Sequence, residues 1–123
     1  MRIFRIQNKH GIGMYTAQAE ITYCMLELDG RHPPPLDDTR LCAAIEATGR
    51  HCQFGDYNFG FSSLDQLRSW VYRAEWRSGL EAEGFFVVEL ETAEVYKGDT
   101  QAVWLTSDPI SEVRVISWEE INS

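Results

Sequence analysis

Downstream of Gly84 the sequence is a succession of short runs rich in β-branched and aromatic residues. They are Phe85-Phe86-Val87-Val88-Glu89-Leu90-Glu91, Glu94-Val95-Tyr96, Gln101-Ala102-Val103-Trp104-Leu105 and Val113-Arg114-Val115-Ile116. Lys97-Gly98-Asp99 and Ser107-Asp108-Pro109 separate them with turn chemistry rather than a crossover helix. Parallel neighbours need a connection of about a dozen residues or more, so strands this close in sequence pair mostly antiparallel. The first run is apolar on both faces before it becomes acidic, which predicts a central strand leaving the core at its end. Strands are thus expected near 85–91, 94–97, 101–106 and 112–117.

Upstream, Arg2-Ile3-Phe4-Arg5-Ile6-Gln7 reads as a first strand over 2–7, broken by Gly11 and Gly13. Residues 15–28 alternate like a strand yet contain helix formers, and the alternation favours a strand over 20–27. His32-Pro33-Pro34-Pro35 removes three backbone donors and predicts a surface loop. Asp37 or Asp38 caps a short helix over 38–48, with Gly49 at its C-terminal end. An aromatic, Gly-rich stretch, Phe54 to Phe61, then leads to a capping box, Ser63-x-x-Gln66, with Ser62-x-x-Asp65 overlapping it. Leu64, Leu67, Val71 and Ala74 share a face of a helix predicted over 63–77, after which Gly79 interrupts and Leu80 to Glu83 add a last turn. The expected architecture is α+β, one domain over 1–123, with a mostly antiparallel sheet.

Charge is segregated along the chain. Residues 1–80 carry nine acidic and nine basic side chains, whereas residues 81–123 carry ten acidic against Lys97 and Arg114, so the net charge of −8 resides in the last third. A field of this sign repels nucleic acid and attracts basic proteins. With no apolar leader behind Met1 and no apolar run near the ~20 residues of a membrane span, a cytoplasmic protein with no membrane partner is expected. Cys24, Cys42 and Cys52 are odd in number and lack C-x-x-C spacing, which favours reduced thiols.

Other candidate chemistry is thin. Cys24, Cys42, Cys52, His10, His32 and His51 supply soft ligands but no pair at ligand spacing, so no metal is expected. Cys52 beside His51 lacks an orienting carboxylate, and Gly11-Ile12-Gly13 is too short for a dinucleotide fingerprint. Trp70, Tyr72 and Trp76 interleave with Arg68, Arg73 and Arg77, a mix suited to stacking on nucleic acid; the overall charge favours a protein contact, including a homodimer, or simple packing.

The run Phe59-Gly60-Phe61-Ser62-Ser63-Leu64-Asp65-Gln66-Leu67-Arg68-Ser69-Trp70, followed by Leu80, Gly84-Phe85, Val95 and Gln101-Ala102-Val103-Trp104, resembles small proteins encoded by bacteriophages and prophages. Arg5, Gly11 to Tyr15 and the His32 to Pro35 loop fit the same pattern. The order of parts is also similar to a compact ADP-ribosyltransferase domain. That likeness implies NAD as cofactor, Arg5 to hold it, Ser62 at the step into a helix, and Gln101 where a catalytic Glu belongs. A neutral amide there cannot supply the anion that stabilises a developing cation. Without the likeness, Arg5 is a strand-edge charge, Ser62 and Ser63 cap a helix, and Gln101 begins a strand.

Small acidic phage-like chains also resemble anti-defence proteins, including anti-CRISPR proteins, which occupy basic nucleic-acid-handling complexes of the host. Carboxylates on a rigid sheet gain fast, salt-sensitive association with basic grooves. The leading expectation is therefore a non-enzymatic inhibitor without cofactor, contacting a host defence complex through Glu89, Glu91, Glu94, Asp99 and Glu112, with Trp104 and Trp118 as apolar anchors. The alternatives are an NAD-dependent mono-ADP-ribosyltransferase and an acidic domain with no catalytic role.

Overall fold

In chain order the elements are β1 (Arg2–Gln7), α1 (Thr39–Glu46), β2 (Tyr57–Gly60), α2 (Leu64–Trp70), α3 (Ala74–Ala82), β3 (Phe86–Thr92), β4 (Tyr96–Lys97), β5 (Ala102–Leu105), β6 (Ile110–Ile116) and α4 (Trp118–Asn122). This computed structural model describes residues 1–19, 22, 38–50 and 56–123. The proline loop falls outside those residues, as does the strand expected over 20–27 except at Thr22, which is helical rather than extended.

The strands form two antiparallel three-stranded sheets, ordered β1-β3-β6 and β2-β5-β4. β3 is central, as its apolar character on both faces predicts. Just beyond β2 the sheets meet at one pair: Phe4 N donates to Phe61 O at 2.8 Å and Phe61 N to Phe4 O at 2.7 Å. The approach requires Gly60, because a Cβ there would lie 2.5 Å from the Phe4 carbonyl oxygen.

Three apolar clusters order the layers. Ile6, Val87 and Ile116 of the first sheet pack against Leu67, Trp76, Leu80, Trp118 and Ile121 of the helices. The opposite face places Ile3, Val88 and Leu90 against Ala102 and Trp104 of the second sheet. That sheet's outer face packs Tyr57, Tyr96 and Val103 on Leu41 and Ile45 of α1. The fold is α+β, as the sequence predicts.

Three local expectations are corrected, and one strand is additional to those expected. The helix predicted over 63–77 is two helices, broken at Val71, where φ is −108° and ψ 54°. At ~100° per residue, Leu67 and Trp76 would face opposite sides of one straight helix; the break brings both into one cluster. It forgoes a few intrahelical hydrogen bonds of ~1 kcal/mol net each. Burying a Trp, at ~150–250 Å² and ~25 cal/mol/Å², contributes roughly 4–6 kcal/mol and wins. Gly79 lies inside α3 and interrupts nothing. Part of the aromatic, Gly-rich stretch is strand β2. Cys42 is disulfide-bonded, so the expectation of reduced thiols does not hold for it.

Candidate interaction surface

β3 carries Glu89 and Glu91 on one face, and the neighbouring strands bring cations to them. In register, Arg2 stands opposite Glu91 and Arg114 opposite Glu89. Arg2 Nη1 lies 3.0 Å from Glu89 Oε2, and Arg114 Nε 2.9 Å from Glu89 Oε1. The N-terminal ammonium lies 2.8 Å from Glu91 Oε1, and Arg2 Nε also pairs with Glu91. The ammonium's hydrogen bond holds the Glu91 carboxyl below the usual carboxylate range, aided by its charge and by Arg2, against a smaller opposing effect of desolvation. Arg114 also reaches Glu120 at 3.5 Å. Three cations thus face three carboxylates, and the acidic end of β3 is a neutral network rather than a bare negative patch.

The other expected contact residues stand apart. Glu94 is exposed in the β3–β4 connection, Glu112 is exposed on β6 opposite Leu90, and Asp99 is exposed in the β4–β5 turn with Arg40 Nη1 at 3.3 Å. Trp104 and Trp118 are buried, at 0% and 6% exposure, so the expectation of surface anchors is corrected. Trp104 packs between the sheets, and Trp118 starts α4 with its Nε1 donating to Phe85 O at 2.9 Å. Trp70 and Trp76 are likewise in the core, which leaves the 63–77 segment no tryptophan face for a homodimer.

Asp99 and Thr100 form one wall of a cleft of about 550 Å³, whose other wall is Asp65, Gln66, Ser69 and Trp70 of α2 together with Tyr72 just beyond it. Its geometry comes from two clamps. The buried Asp38 carboxylate caps α1 by accepting from Leu41 N at 3.1 Å, and also accepts from Asp99 N, Thr100 N and Thr100 Oγ1, each at 3.1 Å. Burial pushes this carboxyl up, but the hydrogen bonds from Thr100, Asp99 and Leu41 together outweigh it and hold the group below its ordinary range. A Cβ at Gly98 would come within 2.3 Å of Asp38 Oδ2, so the turn requires glycine. Gln66 is the second clamp: its Nε2 donates to Gly98 O at 3.1 Å, while its Oε1 accepts from Ser62 N at 2.8 Å. Ser63 Oγ accepts from Gln66 N at 3.0 Å, so the capping box forms, displaced by one residue on its return bond.

The residues that the ADP-ribosyltransferase likeness implies have separate structural occupations. Arg5 is half-buried, with its guanidinium 5.3 Å from the Trp104 ring centroid and against Gly13; burial lowers its pKa, and its Nε has no hydrogen-bond partner among the described residues. Ser62 is tied to Gln66. Gln101 is buried ahead of β5, its carbonyl accepting from Gly98 N at 2.8 Å. Of the six candidate metal ligands, Cys24, Cys52, His32 and His51 lie outside the described residues.

Sequence reasoning missed the Asp38 clamp as a link between α1 and the β4–β5 turn; its only local signal is Asp38 as a cap, because its other partners are about 60 residues away. It also missed α4, although Ser117-x-x-Glu120 is a capping-box pattern that could have found it. Among the described residues no helix is long and apolar enough to cross a membrane. No curated protein and no solved structure matches the chain. The family model described as Bacteriophage T4 Y00F protein matches residues 1–119, nearly the whole chain, and the protein therefore belongs to that phage family.

Proposed function

We propose that this phage protein is a stoichiometric binder that inhibits a host defence complex by occupying a basic, nucleic-acid-handling surface. The observation that carries the reading is the residue of charge left after the internal network is matched. Glu81, Glu94, Glu112 and Glu119 are exposed and make no ion pair among the described residues, on a chain with a net charge of −8. Their field accelerates encounter with a cationic partner and makes association fall with ionic strength. Glu89 and Glu91, by contrast, serve to hold β1, β3 and β6 together.

The test is capture of partners from bacterial lysate at low and high salt by the tagged protein and by its Glu94→Lys/Glu112→Lys/Glu119→Lys variant. A salt-sensitive basic complex should be retained by the first and lost by the second, with both giving the same circular dichroism spectrum. Equal capture by the folded variant would sink the proposal.

A further inference from the structure

β6 pairs with β3 and with no other strand, leaving the backbone groups of its outer edge outside either sheet among the described residues. Six of its seven residues are exposed. The register places Val115, Glu112 and Ile110 opposite Val88, Leu90 and Thr92, and those three β3 residues are buried whereas their β6 neighbours are not. The difference has a simple origin: the cluster between the sheets draws on β1, β3 and β5 but contains no β6 residue, so the second sheet stops short of the outer strand. What remains is an open ledge, with Ile110 48% and Val115 55% exposed on either side of Glu112.

We infer that the β6 edge takes an additional strand from a partner, an extended basic and apolar segment that continues the first sheet. Edge addition supplies affinity through main-chain hydrogen bonds and specificity through alternate side chains. Here the complementary side chains on the ledge are apolar beside Ile110, cationic beside Glu112 and apolar beside Val115. A second copy of this chain is a poor occupant. Each copy brings a charge of −8, so like-charge repulsion opposes pairing of two copies. The inference rests on the binder reading and assigns it a surface and a partner chemistry.

The experiment uses the synthetic peptide Lys-Thr-Val-Thr-Lys-Thr-Val-Thr-Lys, with a control in which every Lys is Glu, read by amide hydrogen exchange on the intact protein. Saturable binding of the basic peptide should slow exchange across residues 110–116 at least about tenfold, since new ladder bonds protect edge amides. Val115→Lys, at a position more than half exposed, should weaken binding about tenfold without unfolding the protein. Absence of binding, binding without protection of β6, or equal binding of the glutamate control would overturn the inference. So would a concentration-dependent dimer lost in Val115→Lys, because a second copy would then be the occupant. Host-complex capture that survives Val115→Lys but fails in the glutamate-reversal variant would overturn the edge while leaving the acidic binder in place.

Discussion

Asp38 shows how much one side chain can organise. Its carboxylate satisfies three backbone N–H groups and a hydroxyl, and so fixes the start of α1 and the β4–β5 turn at once. Asp38→Ala should destabilise the protein by roughly 1–3 kcal/mol, the cost of stranding buried donors, measured as a lower midpoint in urea. Gly98→Ala should act through the same contact, and the double variant should cost less than the sum, the signature of one shared interaction. The pH dependence has a definite sign. The pKa values of Asp38 and Glu91 are lowered by folding, so the stability they contribute is present above their unfolded values, near pH 4, and is lost as pH falls through the lowered ones. Melting temperature should therefore decline below about pH 4, less so in Asp38→Ala. At the other extreme, burial pushes the Tyr15 hydroxyl up to about 12, partly offset by a hydrogen bond from Trp70 Nε1. The unfolded chain ionises this group first, so stability should also fall between about pH 10 and 12, and ultraviolet titration should show late tyrosines at Tyr15 and at Tyr96, whose hydroxyl is likewise raised by burial and by Glu94.

Among the elements, the terminal helix and the outer strand differ in what holds them. α4 is five residues long and too short to persist on propensity. It is kept by Trp118 and Ile121 in the core, by Ser117 Oγ accepting from Glu120 N at 3.2 Å, and by Arg68 donating to the carbonyls of Glu120 and Ile121. Ser117→Ala should cost about 0.5–2 kcal/mol, as loss of an N-cap does, whereas Trp118→Ala should cost roughly 3–5 kcal/mol; thermal melts of both variants would separate cap from core. Among the described residues, β6 has no comparable cover on its outer side.

At the scale of the whole molecule, the N-terminal strand and the C-terminal third are one electrostatic unit. Arg2 and the N-terminal ammonium neutralise carboxylates about 90 positions away. Reversing Arg2 to Glu should destabilise the first sheet and raise net negative charge without improving partner capture, because the exposed glutamates implicated in binding lie elsewhere. The comparison is a melt alongside capture from lysate: enhanced capture by Arg2→Glu would show that diffuse charge, rather than Glu94, Glu112 and Glu119, governs association.

The sequence by itself determined what depends on near neighbours and on composition. Apolar runs and turn residues after Gly84 sufficed for β3 to β6, and Asp38 and Ser63 announced two helix starts, because strand pattern and caps are local properties. The excess of carboxylates was legible for the same reason. Tertiary structure alone decided the break at Val71, since burying Leu67 and Trp76 together outweighs a few helical hydrogen bonds, and it alone buried Trp104 and Trp118. It also decided the fate of the charge: whether a glutamate is a contact residue or half of an ion pair depends on which cation the fold brings within 3 Å, and for Glu89 those are Arg2 and Arg114, from the two ends of the chain.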